Sequence, residues 1–267
     1  MAEPIAVDDP RDARLADYVG LTDAALRRRV EHGRGLFIAE GELVIRQLLV
    51  SPYPVRSVLV APTRYAHLRD VLDGLDAPVY VAPKEVLEAV AGFDIHRGAV
   101  ASAGRLPYPE PSALLRGART VAVLEALNDH ENIGALFRNA AALGVDAVFL
   151  SPTCADPLYR RSVRVSMGCV LRLPFTTLSP WPDALAGLAA AGFELVALTP
   201  APGAEDLGEF PPGGRVALLF GAERDGLSPG ALAAASRRAR IPVRDGVDSL
   251  NVATAAAIAF HHFCGAP

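Results

Sequence analysis

The stretch Val216-Ala-Leu-Leu-Phe-Gly-Ala-Glu-Arg-Asp-Gly-Leu227 runs from an unbroken apolar segment straight into a loop framed by Gly221 and Gly226. A short continuous apolar run reads as a strand buried on both faces, the signature of a parallel sheet covered by helices on either side. The pattern recurs on both sides of it. Val121–Leu127, Ala147–Leu150, Leu173–Thr176, Glu194–Thr199 and Arg240–Val243 are further expected strands. Helical spacing over Asn132–Leu143, Arg160–Val165, Trp181–Ala191 and about Leu250 to Phe263 separates them. In open α/β sheets ligands sit beyond the carboxyl ends of the strands, so the loops that follow strands are where chemistry is expected.

Toward the N-terminus the alternation continues on a smaller scale. Leu36–Ala39, Val55–Val60, Pro78–Val81 and Gly98–Ser102 read as strands. Helices are expected from Thr22 through Arg29, around Leu43–Leu48, near Tyr65–Leu72 and over Lys84–Val90. Then comes Gly104-Arg-Leu-Pro-Tyr-Pro-Glu-Pro111, whose prolines forbid both helix continuation and central-strand pairing. The expected division is a small α/β domain over 1–103, a Pro-rich linker over 104–118, and a larger parallel-sheet domain over 119–267.

Composition narrows the function. The chain has 267 residues, half of them hydrophobic at 51%, enough for sizeable cores. Its net charge of −4 excludes bulk electrostatic attraction to nucleic acid and leaves local clusters to supply it. Lys84 is the sole lysine, so the basic side chains are arginines, whose planar fork suits phosphate. Cys154, Cys169 and Cys264 have no metal-ligand spacing, so no metal is expected, and they fit buried thiols of a reduced cytoplasmic protein. The segment Met1–Arg14 is acidic and lacks the basic-then-apolar order of a secretory signal. No apolar run approaches the roughly 18 residues of a membrane span, and no membrane contact is expected. The G-x-G-x-x-G and P-loop fingerprints are missing, as are H-E-x-x-H and G-x-S-x-G, which disfavours dehydrogenases, P-loop enzymes, zinc proteases and serine hydrolases.

Three loops after strands carry the polar residues. Asn128-Asp-His-Glu-Asn-Ile-Gly134 opens the helix that bears Arg138 and Asn139. Capping by Asp129 or Asn132 explains its polarity, and a possible anion site at the helix start is the alternative. Arg138 stands among Ile133, Leu136, Phe137, Ala140, Ala141 and Ala142, so it is expected to be buried and paired. In Phe220–Leu227, Gly221 and Gly226 allow close backbone approach, and Glu223 stands at the strand end. In Ile241-Pro-Val-Arg-Asp-Gly-Val-Asp-Ser-Leu-Asn-Val252, Ser249 or Asn251 is placed to cap the last helix.

Taken in order, these loops resemble the three signature motifs of the SpoU/TrmH family of RNA 2′-O-methyltransferases: Asn132-Ile-Gly134 with Arg138; Gly221-x-Glu223-x-x-Gly226-Leu227; and Ile241-Pro242 with Ser249-Leu250-Asn251. Ser166-x-Gly168 is also similar to a family feature, and Leu36–Leu49 resembles the start of the ribosomal-protein-like RNA-binding domain that many members carry. His130 stands where the family commonly has proline, and Ala222 where asparagine is common.

The resemblance implies a deep trefoil knot in the C-terminal domain, S-adenosyl-L-methionine as methyl donor, and a homodimer whose sites are completed by the partner. It implies cofactor contacts from Thr199, Gly221, Ile241 and Leu250, and a catalytic group of Asn132, Arg138, Glu223, Ser249 and Asn251. It favours 23S ribosomal RNA over transfer RNA as substrate. A catalytically silent RNA-binding protein on the same fold and an α/β enzyme for a small molecule are the rivals. The family arginine is usually described as general base, but a guanidinium stays protonated in water. Arg138 is therefore expected to bind the phosphate beside the target ribose and to stabilise the developing alkoxide. Arg27, Arg28 and Arg29 with Arg34, and Arg160 and Arg161 with Arg164, are the expected RNA-contacting clusters, a solvated helix face being the ordinary alternative.

Overall fold

The structure, a computed structural model, describes residues 4–23, 26, 30–31, 33–93, 95 and 98–265. It divides into two compact units, one reaching Leu106 and taking in Leu158–Arg172, the other formed by Pro107–Pro157 and Leu173 onward.

The first unit is built on β1 (Ile5–Ala6), β2 (Leu36–Glu40), β3 (Val55–Val60), β4 (Val79–Val81) and β5 (Ala99–Gly104), in sheet order β1-β4-β3-β5-β2. β4 runs parallel to β1 and β3, whereas β5 is antiparallel to β2 and β3. Leu15, Tyr18, Leu36, Ile38, Leu59 and Val100 form the centre of its core. The helices Glu42–Leu49, Pro62–Leu72 and Lys84–Ala91 fall where apolar spacing placed them. β1 is too short to leave a periodic signal. The helix expected through Arg29 runs into Arg27, Arg28 and Arg29, which lie outside the described residues.

The helix Arg160–Val165 forms as expected but packs in this unit, not with the second half of the chain. The reason is Glu40 at the end of β2, whose side chain is almost fully buried and needs a countercharge. Arg160 donates to one of its oxygens, and its guanidinium carbon lies over the Phe93 ring, 4.7 Å from the centroid. Gly168, at φ +81°, brings the following turn so near the helix Glu42–Leu49 that a Cβ there would meet Gln47 Cβ at 2.7 Å. The small residue of Ser166-x-Gly168 is thus required by a close approach.

Asp17 ties the same unit together. Burial opposes its charge, but Arg56 Nε and Ser102 Oγ each donate to Oδ2 at 2.8 Å, Arg34 lies 3.3 Å from Oδ1, and the pKa falls below the ordinary carboxylate value. A depressed folded pKa gives stability that is present above the unfolded value, about 3.9, and lost as pH falls through the folded one. Asp17→Asn should therefore lower Tm at neutral pH and flatten its decline as pH falls below about 4. Thermal melts across that window check it. An unchanged acid slope would remove Asp17 from the acid response.

The second unit holds β6 (Thr120–Leu124), β7 (Ala147–Leu150), β8 (Phe175–Thr177), β9 (Glu194–Leu198), β10 (Glu205–Asp206), β11 (Val216–Phe220) and β12 (Arg237–Arg240). All pairs are parallel, in order β10-β12-β9-β11-β6-β7-β8. From β6 the chain first steps outward through β7 and β8, then crosses to the other side of β6. The switch point lies between β6 and β11, where a ligand crevice is expected. Strand β11 is buried throughout and pairs with β6 over its whole length, which fixes the loops after both strands side by side.

Several boundaries differ from the sequence reading. β6 stops at Leu124: Glu125 N makes one last bond to β11, at Phe220 O, and Ala126 then turns to φ +53°. The expected strand at Arg240–Val243 lies earlier, at Arg237–Arg240. Its arginines disguise it: Arg237 pairs with Glu205 and covers the Phe210 ring at 3.8 Å, and Arg240 pairs with Asp206. The helix expected from Trp181 begins only at Leu185, after Pro180 and Pro182, which have no N–H to give. Residues 111–118 are not only linker. Pro111–Leu115 is a helix with proline at its start, and Leu115 and Ala118 enter the second core.

Candidate active site

The loop after β6 turns into the helix His130–Leu143. Asp129 caps it, its Oδ1 accepting from Glu131 N at 2.8 Å. This leaves Asn132, 8% exposed, with its side chain free for tertiary work. Asn132 Nδ2 donates to Glu223 Oε1 in the loop after β11. Asn132 Oδ1 accepts from Asn251 Nδ2 at 2.9 Å, beyond β12. Asn251 in turn caps the closing helix Val252–Cys264, its Oδ1 accepting from Ala253 N at 2.9 Å and Thr254 N at 3.3 Å. One amide at the centre thus joins the three loops. Asn139 adds a further tie, donating to Ala253 O at 2.9 Å.

Beside this joint lies a cleft of about 660 Å3. Thr199, Gly221, Glu223, Ile241, Ser249, Leu250 and Asn251 all line it, so the expected cofactor contacts and three of the expected catalytic residues come together. Leu198, Val243 and Ala255 add apolar wall. Gly221 holds a tight approach in which a Cβ would meet Gly226 C at 2.1 Å, and Gly226 N donates back to Ala222 O at 2.9 Å. Its polar lining is Thr199, Ser249 and Asn251 with the charged Glu223, Arg224, Asp225 and Asp248, three carboxylates to one guanidinium, set among apolar side chains. That suits a neutral aromatic base and a short polar tail, and a bare anion poorly.

Arg138 departs from expectation. It is exposed on the outer side of its helix, and the described residues give it no hydrogen bond or ion pair. Ala141 and Ala142, which made the helix read as apolar all round, are exposed beside it. Alanine costs little in water, so its presence did not mark burial. The basic clusters also divide. Arg160 is taken up by Glu40 and Phe93, Arg34 pairs with Asp17, and Arg161 and Arg164 are exposed.

Glu125 was passed over because it continues the apolar run of β6. Its carboxylate is buried and accepts from Trp181 Nε1 at 2.6 Å and Ser228 N at 2.8 Å, anchoring the far end of the loop that carries Glu223. Burial pushes the Cys154 and Cys264 thiols up, which leaves them poor nucleophiles. Among the described residues no helix is long and apolar enough to cross a membrane.

Residues 119–261 match the model of the SpoU rRNA Methylase family. An uncharacterised tRNA/rRNA methyltransferase of Mycobacterium tuberculosis is 48% identical over 258 residues, 96% of this chain and 90% of that protein. The 23S rRNA (guanosine(2553)-2′-O)-methyltransferase RlmP of Bacillus subtilis is 29% identical over 230 residues, 86% of this chain and 88% of that one. An AdoMet-bound rRNA methyltransferase from Sinorhizobium meliloti shares the fold with a TM-score of 0.80 at 24% identity, covering 96% of each chain.

Proposed function

The chain belongs to the SpoU rRNA methylase family, and on that premise we propose that it transfers a methyl group from S-adenosyl-L-methionine to a ribose 2′-hydroxyl of structured RNA. The observation that carries this reading is the Glu223–Asn132–Asn251 joint beside the cleft, which unites the three motif loops at the carboxyl ends of β6, β11 and β12. The 2′-O position and the preference for 23S ribosomal RNA draw support from RlmP, a relative whose name gives its substrate.

When bound, S-adenosyl-L-methionine supplies a methyl group on a sulfonium that becomes a neutral thioether as the methyl leaves. The pocket therefore has little charge to stabilise, and alignment carries most of the task, worth roughly 7–11 kcal/mol. Thr199, Gly221, Ile241 and Leu250 hold the donor, with Leu250 and Ile241 as apolar walls. Asn132 fixes the Glu223 carboxylate, and Ser249 and Asn251 keep the third loop against it. Arg138 binds the phosphate next to the target ribose and steadies the oxygen as its proton passes to solvent water.

Arg138 faces away from its own helix bundle, which supports action on the site of a second copy. The exposed Ala141, Ala142, Thr254 and Ile258 (39% exposed) on the same pair of helices form a small-residue face suited to that contact. The knot reading draws on the return of the chain from β12, across β9 and β11, to pack the closing helix on His130–Leu143.

Calorimetric titration with S-adenosyl-L-methionine tests the site, together with Leu250→Arg, which places a charge in the apolar wall. Micromolar binding, lost in the variant, is expected. Labelled methyl groups transferred to ribosomal RNA should then survive in dinucleotides that resist alkali, because a methylated 2′-oxygen cannot attack its own phosphate. A folded protein that neither binds the donor nor labels RNA would favour the silent RNA-binding alternative.

A further inference from the structure

The first unit carries a cavity that the methyl-transfer site does not use. It measures about 410 Å3 and is lined by Glu40, Gly41, Leu43, Val44, Arg164 and Met167, with Glu42 at the edge. Its floor is unusual. Glu40 is 2% exposed, and only one of its carboxylate oxygens is engaged, by Arg160. The other, Oε1, is buried without a hydrogen bond. Arg164 Nη1, at 3.6 Å, is close enough to attract it and too far to donate to it. A buried acceptor in a cavity wall, left without a donor, is a place where an incoming N–H gains a full hydrogen bond.

The walls say what kind of N–H. Leu43 is 43% exposed although large and apolar, and Val44 and Met167 continue the same surface. Met167 is held at φ +53°, a backbone conformation rare for a residue with a side chain. Gly41 leaves the space above it open, since a Cβ there would meet nothing within 4 Å. Apolar walls beside a buried, unbonded acceptor fit an unstacked ring with an amino edge. With Glu40 and Glu42 in its lining the cavity does not suit a bare anion at its centre, while Arg164, exposed beside them, is placed for a backbone phosphate.

We propose that this cavity binds a single unstacked RNA nucleobase that presents an exocyclic amine, with Glu40 Oε1 accepting from the amine and Arg164 on the adjoining phosphate. The proposal rests on the reading that RNA is the substrate, and adds a base-reading site on the first unit. Among pyrimidines it selects cytosine, whose amine donates, over uracil, whose ring N–H lies between two carbonyl oxygens that the carboxylate repels.

The test uses the full chain and fluorescent eight-residue oligo(C) and oligo(U), equal in length and charge, followed by anisotropy. Oligo(C) should bind about fivefold more tightly than oligo(U). Glu40→Gln should erase that preference, because the amide can serve a carbonyl as well as an amine. Leu43→Asp, on the exposed wall and clear of the Glu40–Arg160 pair, should weaken oligo(C) by a similar factor and covers the case in which Glu40→Gln fails to fold. Equal affinity for the two oligonucleotides overturns the proposal, and so does a preference that survives both substitutions. Oligo(arginine) binding that depends on Glu40, without discrimination between bases, also overturns it and gives the cavity to a basic peptide. Base preference in a protein that neither binds S-adenosyl-L-methionine nor labels RNA would keep this site and remove the catalytic reading. Labelling without preference would do the reverse.

Discussion

Gly221→Ala is expected to weaken S-adenosyl-L-methionine binding about a hundredfold and to stop methyl transfer, while the protein still unfolds cooperatively. The added methyl has no room: it would lie 2.1 Å from Gly226 C and 2.3 Å from both Gly226 O and Leu227 N, all of them backbone. Backbone cannot rotate aside as a side chain does, so the turn must open. Opening it breaks the Gly226 N to Ala222 O hydrogen bond and carries Glu223 off Asn132. The cleft loses one wall and the joint loses one arm. An affinity loss of about a hundredfold corresponds to roughly 2.8 kcal/mol, well within what a displaced loop costs. Calorimetry and a thermal melt on the same sample check it. Near-wild-type affinity in the variant would show that the Gly221 turn takes no part in holding the donor.

Asn132→Asp should be nearly as damaging, for an electrostatic reason. The amide both gives and receives: Nδ2 to Glu223, Oδ1 from Asn251. A carboxylate keeps the second bond and turns the first into a confrontation of like charges in a mostly buried setting, with Asp129 Oδ2 only 3.5 Å from the same atom. A stability loss of roughly 2–4 kcal/mol is expected, with kcat down at least about a hundredfold. The repulsion raises the pKa of the new carboxyl, so the penalty applies above that pKa and fades below it. Activity relative to the parent should therefore recover partly in mild acid, where a proton again lies between residues 132 and 223. A relative pH profile that stays flat would mean Asn132 acts by shape alone.

The sheet of the second unit was legible because continuous apolar runs such as Val216–Phe220 are hard to satisfy any other way. The members of the joint, Asn132, Glu223 and Asn251, were singled out through the family motifs, but their mutual hydrogen bonds join positions too far apart in sequence to leave a local pattern. Other features depended on distance. Arg160 read as one of a surface triplet, since nothing near it in sequence shows that its partner Glu40 lies 120 residues earlier. Arg138 read as buried because exposed alanines look apolar in a pattern. β12 was displaced because Arg237, Arg238 and Arg240 mask a strand whose one buried side chain is Ala239. Glu125 was hidden for the opposite reason, a buried charge in line with a strand, with partners at Trp181 and Ser228.

The placement of Leu158–Arg172 in the first unit bears on the order of events during synthesis. As the chain leaves the ribosome, the strands of the first unit are all present once Gly104 has emerged, yet the unit still lacks its final piece. Glu40 must wait for Arg160, and over that interval its carboxylate either stays hydrated or goes uncompensated. By the time the countercharge arrives, β6 and β7 of the second unit are already out and able to pair. The first unit is therefore completed only after the second has begun to form. A fragment ending at Leu106, released early by a stalled ribosome or a nuclease-cut message, is left with a charged hole where a partner belongs, and becomes a ready substrate for quality-control proteases.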